Sequence, residues 1–132
     1  TVAREKGFRK AFEGTNFEIL ATQYGEGQVD KSQQIATNYI TEGCVGIFGA
    51  NEGSTVGVGN AIQESGSDIV GVGFDKSDAV LQLIESGALL CTMAQNPYEM
   101  GYQGMKTAYA ALTGGDTGPE YVDTGVTVLK KN

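Results

Sequence analysis

Short apolar runs alternate with helical patterns along this chain, and that alternation restricts its fold more than any other feature. Each helical pattern closes at a glycine, such as Gly14, Gly43 or Gly87, and an apolar run begins shortly afterwards. Strands and helices in alternation favour an α/β fold, in which parallel strands are joined by right-handed crossovers. We expect strands at 17–23, 44–50, 68–74, 88–94 and 122–129, and helices at 2–13, 30–41, 53–64, 77–85 and 97–113.

Composition excludes several classes of function. The chain has 9 Lys and Arg against 16 Asp and Glu, a net charge of −7, and its basic residues form no cluster. Nucleic acid and anionic membranes are therefore poor partners. The chain has no His, which excludes Ser-His-Asp, Cys-His and zinc-hydrolase arrangements. We predict neither a metal site nor a cofactor, and we expect the chain not to be an enzyme.

The cysteines and the paired glycines are predicted to serve packing. Cys44 and Cys91 lie in apolar runs, at a spacing that fits no redox or zinc motif. A disulfide between them is possible on sequence grounds, but we expect two free thiols. The glycine pairs in 57–59 and 71–73 lack the third glycine of a dinucleotide-binding fingerprint, and no phosphate-binding GxxxxGK[ST] motif occurs.

The last helix is the most clearly delimited. Asn96 is a predicted N-cap, Pro97 suits the first helical position, and Glu99 stands three residues after the cap. A stripe of apolar residues runs along one face, and we expect it to face the core. The stripe consists of Tyr98, Tyr102, Met105, Tyr109 and Leu112.

Residues that follow the strands are candidate binding residues, because ligands of open α/β sheets bind beyond the carboxyl ends of the strands. They are Gln23, Asn51, Asp75 and Gln95. Arg4, near the start of the first helix, would lie at the same edge. Each alone could equally be a helix cap or a turn residue, but together their planar polar groups suit adjacent hydroxyls of a sugar ring. A glycosidase would need two carboxylates across one bond, and only Asp75 with Glu52 could supply them.

Four motifs follow one another along the chain. They are REKGF at 4–8, IFGAN at 47–51, VGFD at 72–75 and MAQNPY at 93–98 with Gly101. Their order and spacing resemble the ribose/galactose-type sugar-binding proteins of bacterial ABC transporters, over essentially the entire chain. The resemblance implies the C-terminal lobe of a type I periplasmic binding protein, with a parallel sheet in a Rossmann-like, flavodoxin-like order. The whole protein would have two lobes and about twice this length.

The same resemblance implies roles for individual residues. Arg4, Asn51, Asp75 and Gln95 fall on positions that contact the sugar. In the family an aromatic side chain commonly stacks on the sugar from the loop after residue 23, but the matching position here is Gly27. Tyr24 could take that role, so Gln23 and Tyr24 are further candidates. Whether the ligand is a pentose, a hexose or another polyol stays open.

The function implied by the resemblance is that of a solute receptor for an ABC importer. Its partners would be a monosaccharide-like ligand and the permease, and its location would be extracytoplasmic, in the periplasm or at the cell surface as a lipoprotein. The alternative is the effector-binding core of a lac-repressor-type transcriptional regulator, which shares the fold. An upstream signal peptide or helix-turn-helix segment would separate the two. An enzyme on the same scaffold is the least favoured interpretation.

The chain is expected to comprise a sugar-binding lobe at 1–95, a helix and turn at 96–119 that pack on an N-terminal lobe, and a strand and tail at 120–132. In the family, a strand that precedes the first helix lies between the strand ending at Gln23 and the strand ending at Ala50, in a 2-1-3-4-5 sheet. We therefore expect these residues either to occur with the remainder of a larger protein or to form a dimer, with or without exchange of elements.

Overall fold

The computed structural model describes all residues from Thr1 to Asn132 and has an α/β architecture, as the sequence predicts. The helices are α1 (Val2–Ala11), α2 (Val29–Thr41), α3 (Glu52–Ser65), α4 (Asp78–Ser86) and α5 (Pro97–Leu112). The strands are β1 (Gly46–Phe48), β2 (Val70–Phe74), β3 (Cys91–Gln95) and β4 (Val126–Lys130). The predicted elements that exist are correct in type, and their ends differ by a few residues.

The sheet has the order β1-β2-β3-β4, and its first three strands are parallel. β4 pairs antiparallel with β3, so that Val126 at its start lies opposite Gln95 at the end of β3. The sheet is therefore mixed rather than wholly parallel. A connecting helix packed on the sheet would return the chain to the other end and give a parallel strand. Helix α5 makes no extensive contact with any strand, and the chain re-enters the sheet where it left it.

The core lies on one face of the sheet, beneath α2, α3 and α4. Ile47 of β1 packs there with apolar residues of all three helices, and Leu89, just before β3, is 1% exposed. The glycines of the sequence permit this close packing, as predicted. A Cβ on Gly59 would meet the Leu83 side chain at 2.6 Å, and one on Gly57 would meet the backbone of Gln33 at the same distance.

Helix α1 lies on the opposite face of the sheet. Successive strand residues point to opposite faces, so Phe48 points away from the core that holds Ile47. Phe8 of α1 stacks on Phe48 with the ring centroids 4.9 Å apart. Phe12 of α1 contacts both Phe8 and Phe17, which links the segment after α1 to the same aromatic cluster.

The prediction of a strand at 17–23 is wrong. No backbone–backbone hydrogen bond involves residues 17–24. The segment is attached to the helices by side chains instead, since Tyr39 of α2 donates to the Ala21 carbonyl at 2.6 Å and Arg9 of α1 donates to the Thr22 hydroxyl at 2.7 Å. A strand requires a neighbouring strand to pair with, and none lies beside this segment.

A cavity of about 1080 Å³ separates the segment 17–24 from β1. We call it the strand-side groove. It is lined on one side by residues 17–24, on the other by residues 44–48, and between them by apolar residues of α1 and α2 such as Phe8 and Ile35. The free edge of β1 faces it.

The prediction that the stripe of α5 faces the core is wrong. No residue of α5 is buried, and Tyr98, Met105 and Leu112 are 78%, 72% and 87% exposed. The predicted cap is confirmed, because the Asn96 side chain accepts from the Glu99 amide at 3.1 Å. The helix is well formed and has no partner surface within these residues, so the predicted stripe exists but forms no part of the core.

Candidate functional site

The carboxyl ends of the parallel strands carry a cluster centred on Arg4. One guanidinium nitrogen of Arg4 donates to the Ala50 carbonyl at 3.0 Å and lies 3.5 Å from Asp75 Oδ2. The other donates to Gln95 Oε1 at 2.9 Å. Since Ala50 directly precedes Asn51, Arg4 connects the ends of β1, β2 and β3. The structure thus places four sequence-predicted residues, Arg4, Asn51, Asp75 and Gln95, along one edge.

Arg4 also stacks on an aromatic ring. Its guanidinium carbon lies 3.7 Å from the centroid of the Phe74 ring, within the range of a cation–π contact. The ring and the carboxylate of Asp75 together fix the plane of the guanidinium, and the Arg4 side chain is only 22% exposed. A partly buried, oriented cation can donate hydrogen bonds with defined direction.

Asp75 occupies an unusual backbone conformation. Its φ of 75° lies in the left-handed region, which residues other than glycine seldom adopt and which Asp and Asn tolerate best. Strand β3 holds this conformation at both ends of the residue: Asp75 N–H donates to Met93 O at 2.8 Å, and the Thr92 hydroxyl donates to Asp75 O at 2.7 Å. Strained residues held by their surroundings are often found at binding sites.

Two of the predicted residues are also helix-capping groups, as the sequence allowed. Asn51 Oδ1 accepts from the Ser54 amide at 2.9 Å and caps α3. Asp75 Oδ2 accepts from the Glu52 amide at 3.2 Å, which places a carboxylate at the N-terminus of the same helix. Capping therefore orients both side chains without using all of their hydrogen-bonding groups.

The groups left without a protein partner define the chemistry of the edge. Asp75 Oδ1 accepts no hydrogen bond, and the amide nitrogens of Asn51 and Gln95 donate none. One acceptor and several donors thus lie side by side. A hydroxyl group can donate to the carboxylate and accept from an amide or guanidinium N–H, so this edge fits a ligand with several hydroxyls.

Gln23 and Tyr24 are not joined to the cluster by any hydrogen bond. Gln23 lies beside the hydroxyl of Tyr39, whose pKa is raised by burial although hydrogen bonds from Gln23 oppose the shift. Tyr24 is 71% exposed, and its side chain makes no hydrogen bond. Gly27, at the position where the resemblance places an aromatic residue, has a φ of 75°, and its carbonyl lies against Gly53 of α3. Tyr24 is thus the aromatic residue of this loop that has a free ring.

Sequence reasoning missed the residues beneath the edge. Phe74, Thr55 and Thr92 contact Arg4 or the backbone of Asp75 and its neighbours, but nothing in their sequence context distinguishes them from core residues. The one available signal was position: Phe74 directly precedes Asp75, and Thr55 lies one helical turn after the cap Asn51.

The cysteines, the acidic residues and the helices were also compared with the requirements of other kinds of site. Cys44 and Cys91 are free and partly buried, and burial raises the pKa of both thiols, which makes them poor nucleophiles at neutral pH. No group of three His, Cys, Asp or Glu residues is placed to hold a metal ion. None of the helices has the length and apolar character to span a bilayer.

Comparison with known proteins places the chain in a family. Residues 1–116 match the model of the periplasmic binding protein domain. The ribose import binding protein RbsB of Escherichia coli is 31% identical over 119 residues, which are 86% of this chain and 40% of that protein. The chain therefore spans well under half the length of this curated relative.

Solved structures agree. An ABC transporter solute-binding protein from Agrobacterium vitis with bound D-fucose superposes with a TM-score of 0.91 at 29% identity, over 98% of this chain and 46% of that one. A carbohydrate transporter solute-binding protein from Agrobacterium radiobacter, in complex with D-arabinose, superposes with a TM-score of 0.88 at 34% identity, over 96% and 45%. The chain belongs to the periplasmic binding protein family, as the four sequence motifs predicted.

Proposed function

We propose that this chain supplies one lobe of a sugar receptor that serves an ABC importer. The observation that carries the proposal is the edge of unpaired polar groups around Arg4, in a chain of the periplasmic binding protein family. Arg4, Asn51 and Gln95 would donate to sugar oxygens, and Asp75 would accept from sugar hydroxyls. Tyr24 offers the exposed ring that could stack on one face of the sugar.

The ligand class we infer is a monosaccharide. A single carboxylate oxygen beside several N–H donors has the capacity to bind two or three neighbouring hydroxyls, which matches one sugar ring. The relatives support this scale, because the solved structures hold D-fucose and D-arabinose, and the curated relative is a ribose import protein. Which of these sugars binds would depend on the residue that stacks on the ring.

A second lobe would complete the site. The edge is open to solvent on one side, whereas small-molecule sites normally enclose most of the ligand. The chain covers 40% of the curated relative described above, and two of its apolar surfaces, the stripe of α5 and the strand-side groove, have no partner element. We propose that the stripe packs on the other lobe and that the groove accepts a strand of the remaining polypeptide. The division into 1–95, 96–119 and 120–132 follows from this arrangement.

The receptor is favoured over a lac-repressor-type regulator. The similar proteins reported above are an import binding protein and two transporter solute-binding proteins, and none is described as a transcriptional regulator. A receptor of this kind would act outside the cytoplasm and would deliver its sugar to a permease. A helix-turn-helix segment upstream of residue 1 in the gene would instead support the regulator.

The test is calorimetric titration of the two-lobed polypeptide with D-ribose, D-allose, D-arabinose, D-fucose and D-galactose. We expect one of them to bind with a stoichiometry near one and the others more weakly. The 132-residue chain alone serves as the comparison and should bind the same sugar far more weakly, because half of its hydroxyls stay in water. Absence of binding to every sugar would contradict the proposed function.

A further inference from the structure

Thr55 of α3 lies fully buried directly beneath the edge described above. Its relative exposure is 0%, and its hydroxyl oxygen has four backbone groups around it. Phe74 N–H donates to this oxygen at 2.9 Å. The carbonyls of Asn51, Phe74 and Gly49 lie at 2.7, 3.1 and 3.2 Å from it, and the single hydroxyl hydrogen can be donated to one of them at a time.

The Thr55 hydroxyl takes the place of a backbone acceptor in the hydrogen-bond ladder between β1 and β2. Gly49 N–H donates to Val72 O at 2.9 Å, and after that residue the chain of β1 turns away into α3. The next amide of β2 on this side, that of Phe74, finds the Thr55 oxygen instead of a β1 carbonyl. One buried side-chain atom therefore connects the loop that carries Asn51 to the residue that precedes Asp75.

The absence of side chains at Gly73 and Gly49 leaves the room that the Thr55 side chain occupies. A Cβ on Gly73 would lie 2.0 Å from the Thr55 methyl carbon, and a Cβ on Gly49 would lie 2.6 Å from the Thr55 backbone. Thr92, also 0% exposed, holds the other side of Asp75 through its hydroxyl. The buried hydroxyls of Thr55 and Thr92 thus hydrogen-bond to the backbone on either side of the strained residue Asp75.

We propose that Thr55 is a positioning residue of the sugar site: its hydroxyl fixes the relative placement of Asn51 and Asp75. It does not touch the ligand. The inference rests on the proposed function for its effect on sugar affinity, but its structural part can be measured without any sugar. If the hydroxyl is removed, Phe74 N–H loses its acceptor, and the Asp75 carboxylate loses its alignment with the Glu52 amide to which it is now joined at 3.2 Å.

The experiment compares Thr55→Val, which has the same shape without the hydroxyl, with Thr55→Ser, which keeps the hydroxyl and lacks the methyl. Thr37→Val is the matched control, since Thr37 is exposed on α2 and its hydroxyl makes the same contact to the carbonyl four residues earlier, at 2.9 Å. In the two-lobed polypeptide, titrated with the best sugar of the panel above, we expect Thr55→Val to weaken binding about tenfold or more. Thr55→Ser should bind within about threefold of the parent, although loss of the methyl lowers its melting temperature.

A purely structural role would lower the melting temperature of both Thr55 variants and leave the affinity of the folded protein unchanged, and that result would overturn the proposal. The second measurement is the ¹⁵N–¹H spectrum without sugar. The amide signals of Glu52 and Ser54 should shift in Thr55→Val and stay in place in Thr55→Ser and Thr37→Val. Unshifted signals in Thr55→Val would overturn the proposal even if sugar binds, whereas shifted signals in a protein that binds no sugar would uphold the positioning and refute the proposed function.

Discussion

The guanidinium carbon of Arg4 lies over the ring of Phe74, 3.7 Å from its centroid, on the face of the sheet opposite the main core. Helix α1 is attached there by this contact and, one turn later, by the stack of Phe8 on Phe48. The two contacts are four residues apart on the helix and therefore lie on the same side of it. The helix that carries a candidate binding residue is thus oriented by aromatic contacts at both β1 and β2.

Replacing Phe74 should disturb Arg4 more than it disturbs the fold. Phe74→Leu keeps an apolar side chain and removes the ring face, so we expect sugar affinity to fall by about 0.5–2 kcal/mol, the range of a cation–π contact. Phe74→Tyr keeps the ring and is the control. Calorimetry of both variants in the two-lobed polypeptide measures the difference, and equal affinities would show that the stack does not orient Arg4 for binding.

Asp75 and Asn51 should be essential for binding. Under the proposed function, Asp75→Ala and Asn51→Ala would each remove a group that binds the sugar, with an expected loss of about 1–3 kcal/mol, and more where the charge contributes. Asp78→Asn removes one negative charge from the exposed first turn of α4 and serves as the control. The site assignment is wrong if Asp75→Ala and Asn51→Ala bind the best sugar as tightly as the parent does.

The 132-residue chain on its own should associate. The α5 stripe and the strand-side groove are both apolar, and exposed surfaces of this kind together with a free strand edge favour self-association. Size-exclusion chromatography with light scattering should therefore show a dimer or larger species. A stable monomer that unfolds cooperatively would contradict this prediction.

The thiol of Cys44 is a probe of the strand-side groove, because Cys44 lines the groove and Cys91 does not. Reaction with a thiol reagent at pH 8 should be slow at both residues, since burial raises both pKa values and lowers the thiolate fraction. Cys44 should become still slower when the chain is part of the two-lobed polypeptide. Unchanged reactivity of Cys44 there would indicate that nothing covers the groove.

Lowering the pH should weaken the attachment of the segment 17–24 to α1. Hydrogen bonds from Thr22 and Arg9 hold the pKa of Glu5 below its usual 4.5. A lowered pKa in the folded state stabilises that state above pH 4.5, and the contribution is lost as the pH falls from 4.5 through the lower, folded-state value. The ¹⁵N–¹H signals of residues 21–24, followed from pH 6 to pH 3, should move in that window. Glu5→Gln should show the low-pH signal positions already at pH 6, whereas Glu13→Gln, outside this network, should behave as the parent.

Much of the site could be predicted from the sequence, because strand ends are marked by polar residues directly after apolar runs. Asn51, Asp75 and Gln95 follow β1, β2 and β3, and the topology of a parallel sheet brings such residues to one edge. Thr55 and Phe74 could not be predicted in the same way. Their roles depend on distances of about 3 Å across the sheet, and no local pattern encodes those distances.

The two errors in the fold have a common physical cause. Residues 17–23 have the apolar character of a strand, and the α5 stripe has the period of a buried face. Both patterns therefore indicate a surface that is buried. Sequence periodicity indicates that a surface is covered but not what covers it. Within these 132 residues no element covers either surface. The patterns therefore predict a strand at 17–23 and a buried α5 stripe, and the chain alone forms neither.

The left-handed backbone of Asp75 has a consequence for how such a site can change over evolution. Glycine would satisfy the backbone and lose the carboxylate, glutamate would keep a carboxylate and fit the backbone poorly, and asparagine would satisfy the backbone and lose the charge. Gln95 lies at the end of a regular strand and carries no such restriction. A lineage that acquires a new ligand and still needs a carboxylate at position 75 would therefore keep Asp there and vary at Gln95 or in the loop that carries Tyr24.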